Sequence, residues 1–234
     1  MAAPLEHLLE QHPVWRGGAP APYSPAVSTT YPELDQVLPG GGWPTGTLTE
    51  IHCGREGIGE LQLVLPALAA LSWAGKRVVW LAPPHLPYAP ALAAAGLDLA
   101  QLAVVRAPGR RDALWAAEQV LRAGSCHALL AWFRRASYDE LRRLAVAAEA
   151  SPAWTALFRP PEAARDASPA VLRLALEPQG EALGVRILKR RGAPLAAPLA
   201  LAVQRPFHAL GRHPFSGPAA GARADRRVGL PVHA

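Results

Sequence analysis

The sequence is poor in cysteine, in lysine and in uninterrupted apolar runs. Cysteine occurs twice in 234 residues, at Cys53 and Cys126, too few for the disulfide framework of a small secreted protein. No apolar run reaches the ~18 residues of a membrane-spanning helix without a charge, proline or glycine close by. The first ten residues carry two acids and no lysine or arginine, the wrong charge for a secretory signal peptide. We therefore expect a reduced, cytoplasmic protein that does not span a membrane.

Lysine is nearly absent, since Lys76 and Lys189 are the only lysines among 24 basic residues. The formal net charge is +6, and residues 204–234 supply +4 of it through five arginines and one aspartate. The basic residues at the end of this tail are Arg223, Arg226 and Arg227. Such a tail can bind DNA weakly and without sequence preference by neutralising phosphates. A tail that is only solvated is the alternative.

Composition divides the chain into three segments. Residues 1–32 form an N-terminal arm that ends in a linker rich in proline and glycine. Residues 33–203 form a core of alternating strand and helix signals. Residues 204–234 show no hydrophobic periodicity, and we expect this basic tail to be flexible.

The core reads as an α/β domain. Strands are predicted over residues 48–53, 77–81, 102–106, 128–133, 154–158, 171–177, 183–189 and 195–203. Helices are predicted over residues 60–74, 88–95, 112–123 and 137–149. Pro66 should kink or shorten the first helix, and Ser137 with Glu140 forms a capping box before the last. The alternation predicts a mostly parallel sheet with helices on both faces, followed by a C-terminal antiparallel hairpin.

The most informative segment is a glycine-bounded loop between a strand and a helix. Gly54 and Gly59 have the spacing of the phosphate-binding loop G-x-x-x-x-G-K-[ST], but Glu60 replaces its lysine and Leu61 its serine or threonine. A unit charge pair about 4 Å apart contributes about 4 kcal/mol at an effective dielectric of 20, so glutamate turns attraction for phosphate into repulsion of similar size. Leu61 cannot ligate Mg²⁺. We therefore expect a degenerate nucleotide site, no cofactor and no enzymatic activity.

The order of several short motifs resembles the ATPase core of RecA over residues 33–203. They include the three glycines 40–42, Pro44, Gly46 and Glu50 before the loop, and the late basic segment that ends the hairpin. Three catalytic elements of that family are missing. The loop lacks its lysine, Trp132 stands near the place of the acid that supports Mg²⁺, and residues 81–85 lack the glutamate that activates water. The resemblance therefore implies a RecA-like P-loop fold without its catalysis.

A closer resemblance is to the ImuA family of translesion-synthesis accessory proteins. It rests on an opening helix followed by residues 14–17 (VWRG), and on the late turn at residues 189–192 (KRRG). It implies a non-catalytic role in SOS-induced DNA repair and mutagenesis. The implied partners are an inactive Y-family polymerase-like protein and an error-prone C-family polymerase, with RecA as a further partner. The alternatives are a cell-division inhibitor like SulA, a shortened relative of this group that would bind a tubulin-like GTPase, and a divergent ATPase.

Candidate contact residues lie in the N-terminal arm and in the late turn. Trp15 could anchor a partner, since tryptophan is enriched at interface hot spots, or could pack on its own domain. Lys189, Arg190 and Arg191 could contact DNA phosphate or an acidic protein surface, or could be solvated. The tryptophans predicted to lie in the core are Trp73, Trp80, Trp115, Trp132 and Trp154.

The dipeptides at residues 52–53 and 126–127, each a histidine beside a cysteine, invite a zinc interpretation. One pair ends a parallel strand and the other begins a different strand, so about 17–20 Å should separate them. Buried, apolar cysteines are the better interpretation.

Overall fold

The structure, a computed structural model, describes residues 25–192, 195 and 197–203. Its strands are β1 (Ala26–Val27), β2 (Trp43–Pro44), β3 (Thr47–Cys53), β4 (Val78–Leu81), β5 (Leu102–Val105), β6 (Ala128–Trp132), β7 (Trp154–Arg159), β8 (Leu172–Gln179), β9 (Ala182–Lys189) and β10 (Leu199–Leu201). Its α-helices are α1 (Pro32–Asp35), α2 (Glu60–Trp73), α3 (Ala89–Ala94), α4 (Arg110–Arg122) and α5 (Tyr138–Glu149). Short 3₁₀ helices occupy Leu99–Gln101 and Pro161–Arg165.

Within the described residues, eight strands form one sheet in the order β10-β9-β8-β3-β7-β6-β4-β5. The six strands from β8 to β5 run parallel, whereas β9 and β10 are antiparallel additions at one edge. The predicted mostly parallel sheet with a late hairpin is therefore confirmed, and its identity as a RecA-like core stays a prediction. No helix in the described part of the chain is long and apolar enough to cross a membrane.

Helices cover both faces of the sheet because its strands are apolar on both sides. On one face, α2 buries Leu63 and Leu68 against β3, β7 and β8. On the other face, α4 buries Ala117 and α5 buries Leu144 in a second apolar cluster. The predicted capping box begins α5, since Ser137 Oγ accepts the Glu140 N–H at 3.3 Å and Glu140 Oε2 accepts the Ser137 N–H at 2.8 Å.

The fold begins earlier than the predicted boundary after residue 32. Strand β1 pairs with β2, and Thr29 is fully buried, so the linker prediction is wrong for residues 26–31. Gly42 explains the tight packing, because a Cβ there would lie 2.2 Å from the Val27 carbonyl oxygen. Only glycine allows this approach, so residues that read as a linker are part of the core.

Pro66 does not shorten α2, which runs unbroken from Glu60 to Trp73. Proline has no N–H, so the carbonyl four residues earlier, that of Gln62, loses its helical partner. The Tyr31 hydroxyl donates to this carbonyl at 2.9 Å and replaces the missing bond. A tyrosine 31 residues before Gln62 thus compensates for the proline inside the helix.

Two of the tryptophans predicted to lie in the core are at the surface instead. Trp73 is 74% exposed and Trp115 is 63% exposed, whereas Trp80 and Trp154 are buried and Trp132 is half-buried. Trp73 is the last residue of α2, and its indole N–H donates to the Gly96 carbonyl at 2.7 Å. Trp115 lies on the outer side of α4, whose buried apolar residues are Ala113, Ala117 and Leu121.

Trp43, which lies outside the helices and strands predicted from the sequence, is fully buried. It stacks on Trp154 with ring centroids 4.9 Å apart and an interplanar angle of 9°. The start of β7 and strand β2 are therefore joined through this aromatic pair.

We predict that Tyr31→Phe lowers the free energy of unfolding by about 1 kcal/mol, because it leaves the Gln62 carbonyl without a donor. In a Pro66→Ala background, the N–H of Ala at residue 66 can donate to the Gln62 carbonyl. Tyr31→Phe should then lower the free energy of unfolding by less. A double-mutant cycle measured by urea unfolding tests this coupling. Equal cost in both backgrounds would contradict the assigned role of Tyr31.

Candidate functional site

The degenerate loop spans residues 54–59, between β3 and α2, at the edge where the parallel strands end. This edge is where open α/β sheets usually bind ligands. Gly57 and Gly59 have positive φ angles of 78° and 116°, and Gly59 is the N-cap of α2. A Cβ at Gly59 would also lie 3.1 Å from a methyl carbon of Val203. Glycine is therefore required at residue 59, and Val203, just after β10, lies against this side of the loop.

The loop is occupied by its own carboxylate. Glu60 Oε1 accepts the Gly57 N–H at 3.0 Å, and Oε2 accepts the Gly59 N–H at 3.2 Å. Backbone N–H groups of this kind, at a helix N-terminus, are what a phosphate-binding loop offers to its ligand. Glu60 is 8% exposed, so this internal anion lies largely out of water. The Glu60 carboxylate therefore occupies the N–H donors that a phosphate would use, and its charge opposes an anion at this position.

The other positions of a nucleotide site are apolar or aromatic. Leu61 packs against the core instead of facing a ligand. Trp132, near the expected place of the Mg²⁺-supporting acid, stacks on Phe158 with ring centroids 4.8 Å apart. Among the described residues, no group of three histidine, cysteine or acidic side chains could hold a metal ion.

A side-chain hydrogen bond joins the degenerate loop to the connection after β4. His85 Nε2 lies 2.5 Å from Glu56 Oε2, and both side chains are well exposed. Ala82, the first residue of that connection, has a positive φ of 49° and donates its N–H to the Val105 carbonyl at 2.8 Å. Histidine thus stands in the segment where the RecA resemblance would require a water-activating glutamate.

A buried charged cluster lies behind the loop, in the middle of the sheet. Glu50 on β3 is fully buried and contacts two guanidinium groups, Arg159 Nη1 at 2.9 Å and Arg173 Nε at 2.7 Å. His52 Nε2 lies 3.3 Å from the same carboxylate. Arg159 lies on β7 and Arg173 on β8, the two strands that pair with β3. One carboxylate therefore joins three strands.

The same cluster fixes two loops at the ligand-binding edge. Arg159 donates to the Ala136 carbonyl at 3.2 Å, in the connection after β6. Arg173 donates to the Ala163 carbonyl at 2.9 Å, and His52 Nδ1 lies 3.3 Å from the Pro160 carbonyl, both in the connection after β7. The segment after β7 is therefore held against the sheet by buried side chains.

Sequence reasoning missed this cluster. The only signal was a charge inside or at the end of an otherwise apolar strand, at Glu50 and Arg159, together with Arg173 in the late hairpin. Nothing in the sequence indicates that these residues meet.

Burial alone would raise the pKa of Glu50, but a hydrogen bond with His52 and the two guanidinium groups lower it from 4.5 to about 2. Burial is the largest influence on the pKa of both cysteines. Burial raises the pKa of each thiol to about 11, and Glu60 and Glu56 add to this at Cys53. Cys126, before β6, is fully buried, as expected, whereas Cys53, at the end of β3, is only partly buried.

The basic turn lies at the opposite end of the parallel strands from the degenerate loop. Strand β9 is antiparallel to β8, so Lys189, Arg190 and Arg191 lie near the start of β3, whereas the degenerate loop lies at its end. Seven strand residues at about 3.3 Å each separate the two sites by about 20 Å. Lys189 donates to the Ser168 carbonyl at 3.2 Å, Arg190 donates to the Val37 carbonyl, and Arg191 is exposed.

Four of the predicted contact residues lie outside the described residues, and they remain predictions. They are Trp15 in the N-terminal arm and Arg223, Arg226 and Arg227 in the tail.

Fold and site together define an α/β protein with a mostly parallel sheet, whose phosphate-type loop is filled by its own glutamate. Residues 46–155 match the family model described as cell division inhibitor SulA. This span is slightly under half of the 234 residues and includes the strands from β3 to β6, the degenerate loop and the start of β7. The match supports a role related to the SOS response.

Among solved structures, the chain is similar to SulA from Pseudomonas aeruginosa. The two are 24% identical over 47% of this chain and 96% of that chain, with a TM-score of 0.42. A TM-score this low does not establish a common fold. No curated protein matches the sequence.

We predict that Glu60→Ala gives the loop the ability to bind a small anion, because it frees the N–H groups of Gly57 and Gly59. The variant should unfold at a lower temperature than the wild type, and sulfate should stabilise it more than the wild type. Thermal unfolding in sulfate and in chloride at equal ionic strength separates binding from screening. The same response to sulfate in both proteins would contradict the role of Glu60.

We predict that Glu50→Gln lowers the free energy of unfolding by about 3–5 kcal/mol, because it leaves two buried guanidinium groups uncompensated. The folded pKa of Glu50 lies below its ordinary value, so its contribution is complete above about pH 4.5 and is lost as the pH falls towards about 2. Stability should therefore depend less on pH in this window for the variant than for the wild type.

Denaturant titrations across this pH range test the prediction. Glu149→Gln, at an exposed position on α5, is the matched control. A pH slope that Glu50→Gln leaves unchanged would overturn the account of the cluster.

Proposed function

We propose that the protein is a non-catalytic inhibitor of cell division, of the SulA kind, acting in the SOS response to DNA damage. The family match over residues 46–155 is the observation that carries this proposal. The geometry of the matched segment agrees with a binding role, since its loop is closed by Glu60 and its magnesium position is Leu61. A protein of this kind would act by binding a tubulin-like GTPase of the division machinery.

Regulated expression in a rod-shaped bacterium tests the proposal. We expect cells to elongate without dividing while DNA replication and cell mass increase normally. Purified protein should also inhibit polymerisation of the host's tubulin-like GTPase at stoichiometric concentration. Normal cell length at a verified level of folded protein, together with unaffected polymerisation, would overturn the proposal.

A second candidate is an accessory role in translesion DNA synthesis, as the resemblance to the ImuA family implies. One observation favours it specifically. Strands β8, β9 and β10 and the basic turn lie outside the matched segment, yet they complete the sheet and supply Arg173 to the buried cluster. On this hypothesis the chain binds an inactive Y-family polymerase-like protein and, through it, an error-prone C-family polymerase, with RecA as a further partner.

Damage-induced mutation frequency separates the two candidates. Deleting the gene should abolish induced mutagenesis if the chain is a translesion accessory, and should leave it unchanged but shorten damage-induced filaments if the chain is a division inhibitor. Mutation frequency and filament length can both be measured in the same treated culture.

We predict that neither role involves nucleotide. Calorimetric titration with ATP and Mg²⁺ should give no binding in the micromolar range, because the donors of the loop are already bound to Glu60. Micromolar affinity, with turnover that a Gly59 variant abolishes, would instead support the divergent ATPase.

A further inference from the structure

A groove of about 180 Å³ lies beside the basic turn, at the edge where β3 begins. Its walls include Pro25, Pro39, Pro44 and Val171, and Arg190 and Arg191 stand at its rim. We call it the proline groove. Its volume is below the ~300–1,000 Å³ typical of sites for small molecules, so it fits a side chain better than a nucleotide.

The proline groove is rigid before anything binds. Proline backbones have a fixed φ angle, so little conformational entropy remains to be lost there. The β1–β2 pair, which contains Pro44 and directly follows Pro25, is held close by Gly42, where a Cβ would meet the Val27 carbonyl. Arg190, which also lines the groove, donates to the Val37 carbonyl. Preformed apolar pockets of this kind suit an anchoring side chain of a protein partner.

The charge at the groove has one sign. None of the residues that line it is acidic. Arg191 is exposed and has no hydrogen-bond or ion-pair partner in the described part of the chain, whereas Lys189 is bonded to the Ser168 carbonyl. A guanidinium group binds a carboxylate through two parallel hydrogen bonds, which favours an acidic residue next to the anchor.

Nucleic acid fits this surface less well. Binding to nucleic acid rests on several phosphate contacts at regular spacing, and affinity falls steeply with salt. Here the apolar groove supplies most of the contact surface, with an arginine at its rim. A short peptide with one apolar residue beside an acid uses both features.

We propose that the proline groove binds a segment of a partner protein in which an apolar residue is flanked by acidic residues. The apolar side chain enters the groove and the neighbouring carboxylate pairs with Arg191. This inference rests on one part of the proposed function, that the chain acts by binding a protein. It adds the binding surface and the chemistry of the partner segment.

An amide NMR titration of the full chain with synthetic peptides tests the proposal. The probe is Gly-Ser-Asp-Leu-Asp-Ser-Gly, and its two controls replace the leucine by alanine or both aspartates by lysine. We expect the probe to bind with a dissociation constant below about 1 mM, and to shift signals of Thr45, Val171 and Gly192. Each control peptide should bind at least about fivefold more weakly, because it lacks either the anchor or the carboxylates.

Charge reversal at Arg191 sharpens the test. Arg191→Glu should weaken the probe at least about tenfold and should bind the lysine peptide better than the wild type does. Arg135→Glu is the matched control, since Arg135 is equally exposed on the connection after β6, at the opposite edge of the sheet. It should bind the probe like the wild type.

Three results would overturn the proposal. One is equal binding of the probe by the wild type and Arg191→Glu. Another is single-stranded DNA that shifts the groove signals at physiological salt while the probe does not. The third is tight binding that appears only after deletion of residues 1–24, since the chain's own arm would then be the occupant. If the wild-type protein binds the probe peptide but does not arrest division when it is expressed in cells, the proposed function is overturned and the groove proposal is not.

Discussion

The middle of the sheet depends on the neutralisation of one buried carboxylate, that of Glu50, by neighbouring guanidinium groups. An uncompensated charge at such a position costs several kcal/mol. The two arginines that neutralise it come from β7 and β8, the strands on either side of β3. The order of these three strands is therefore specified by charge as well as by apolar packing.

The two ends of the parallel strands differ in the groups that they leave available to a ligand or partner. Where the parallel strands end, the donors of the loop are bonded to Glu60, and the connection after β7 is held by Arg173. Where β3 begins, a rigid apolar groove and Arg191 face solvent. The edge that serves ligands in most α/β proteins is thus internally satisfied, and the opposite edge offers the more open surface.

Local signals predicted the fold well, and distant partners account for what they missed. Strand and helix positions followed from periodicity, and the capping box of Ser137 and Glu140 follows from spacing alone. The charge at Glu60 was enough to predict repulsion of phosphate, but the hydrogen bonds from the Gly57 and Gly59 N–H groups to its carboxylate depend on backbone geometry that the sequence does not show. Glu50 meets Arg159 and Arg173 across 109 and 123 residues, a distance that no local pattern encodes. The exposure of Trp73 and Trp115 was missed for a related reason, because an indole does not reveal which side of its helix meets the sheet.

The bond between Glu60 and its own loop makes a nucleotide site hard to introduce here by a single change. A lysine at residue 60 would place an ammonium group, which only donates, against N–H groups that also only donate, at a position with little access to water. Without a bound phosphate between them, such a variant would be less stable than the wild type. Leu61 also offers no hydroxyl for the magnesium ion that would accompany the phosphate. Nucleotide binding at this loop would therefore require changes at both residues.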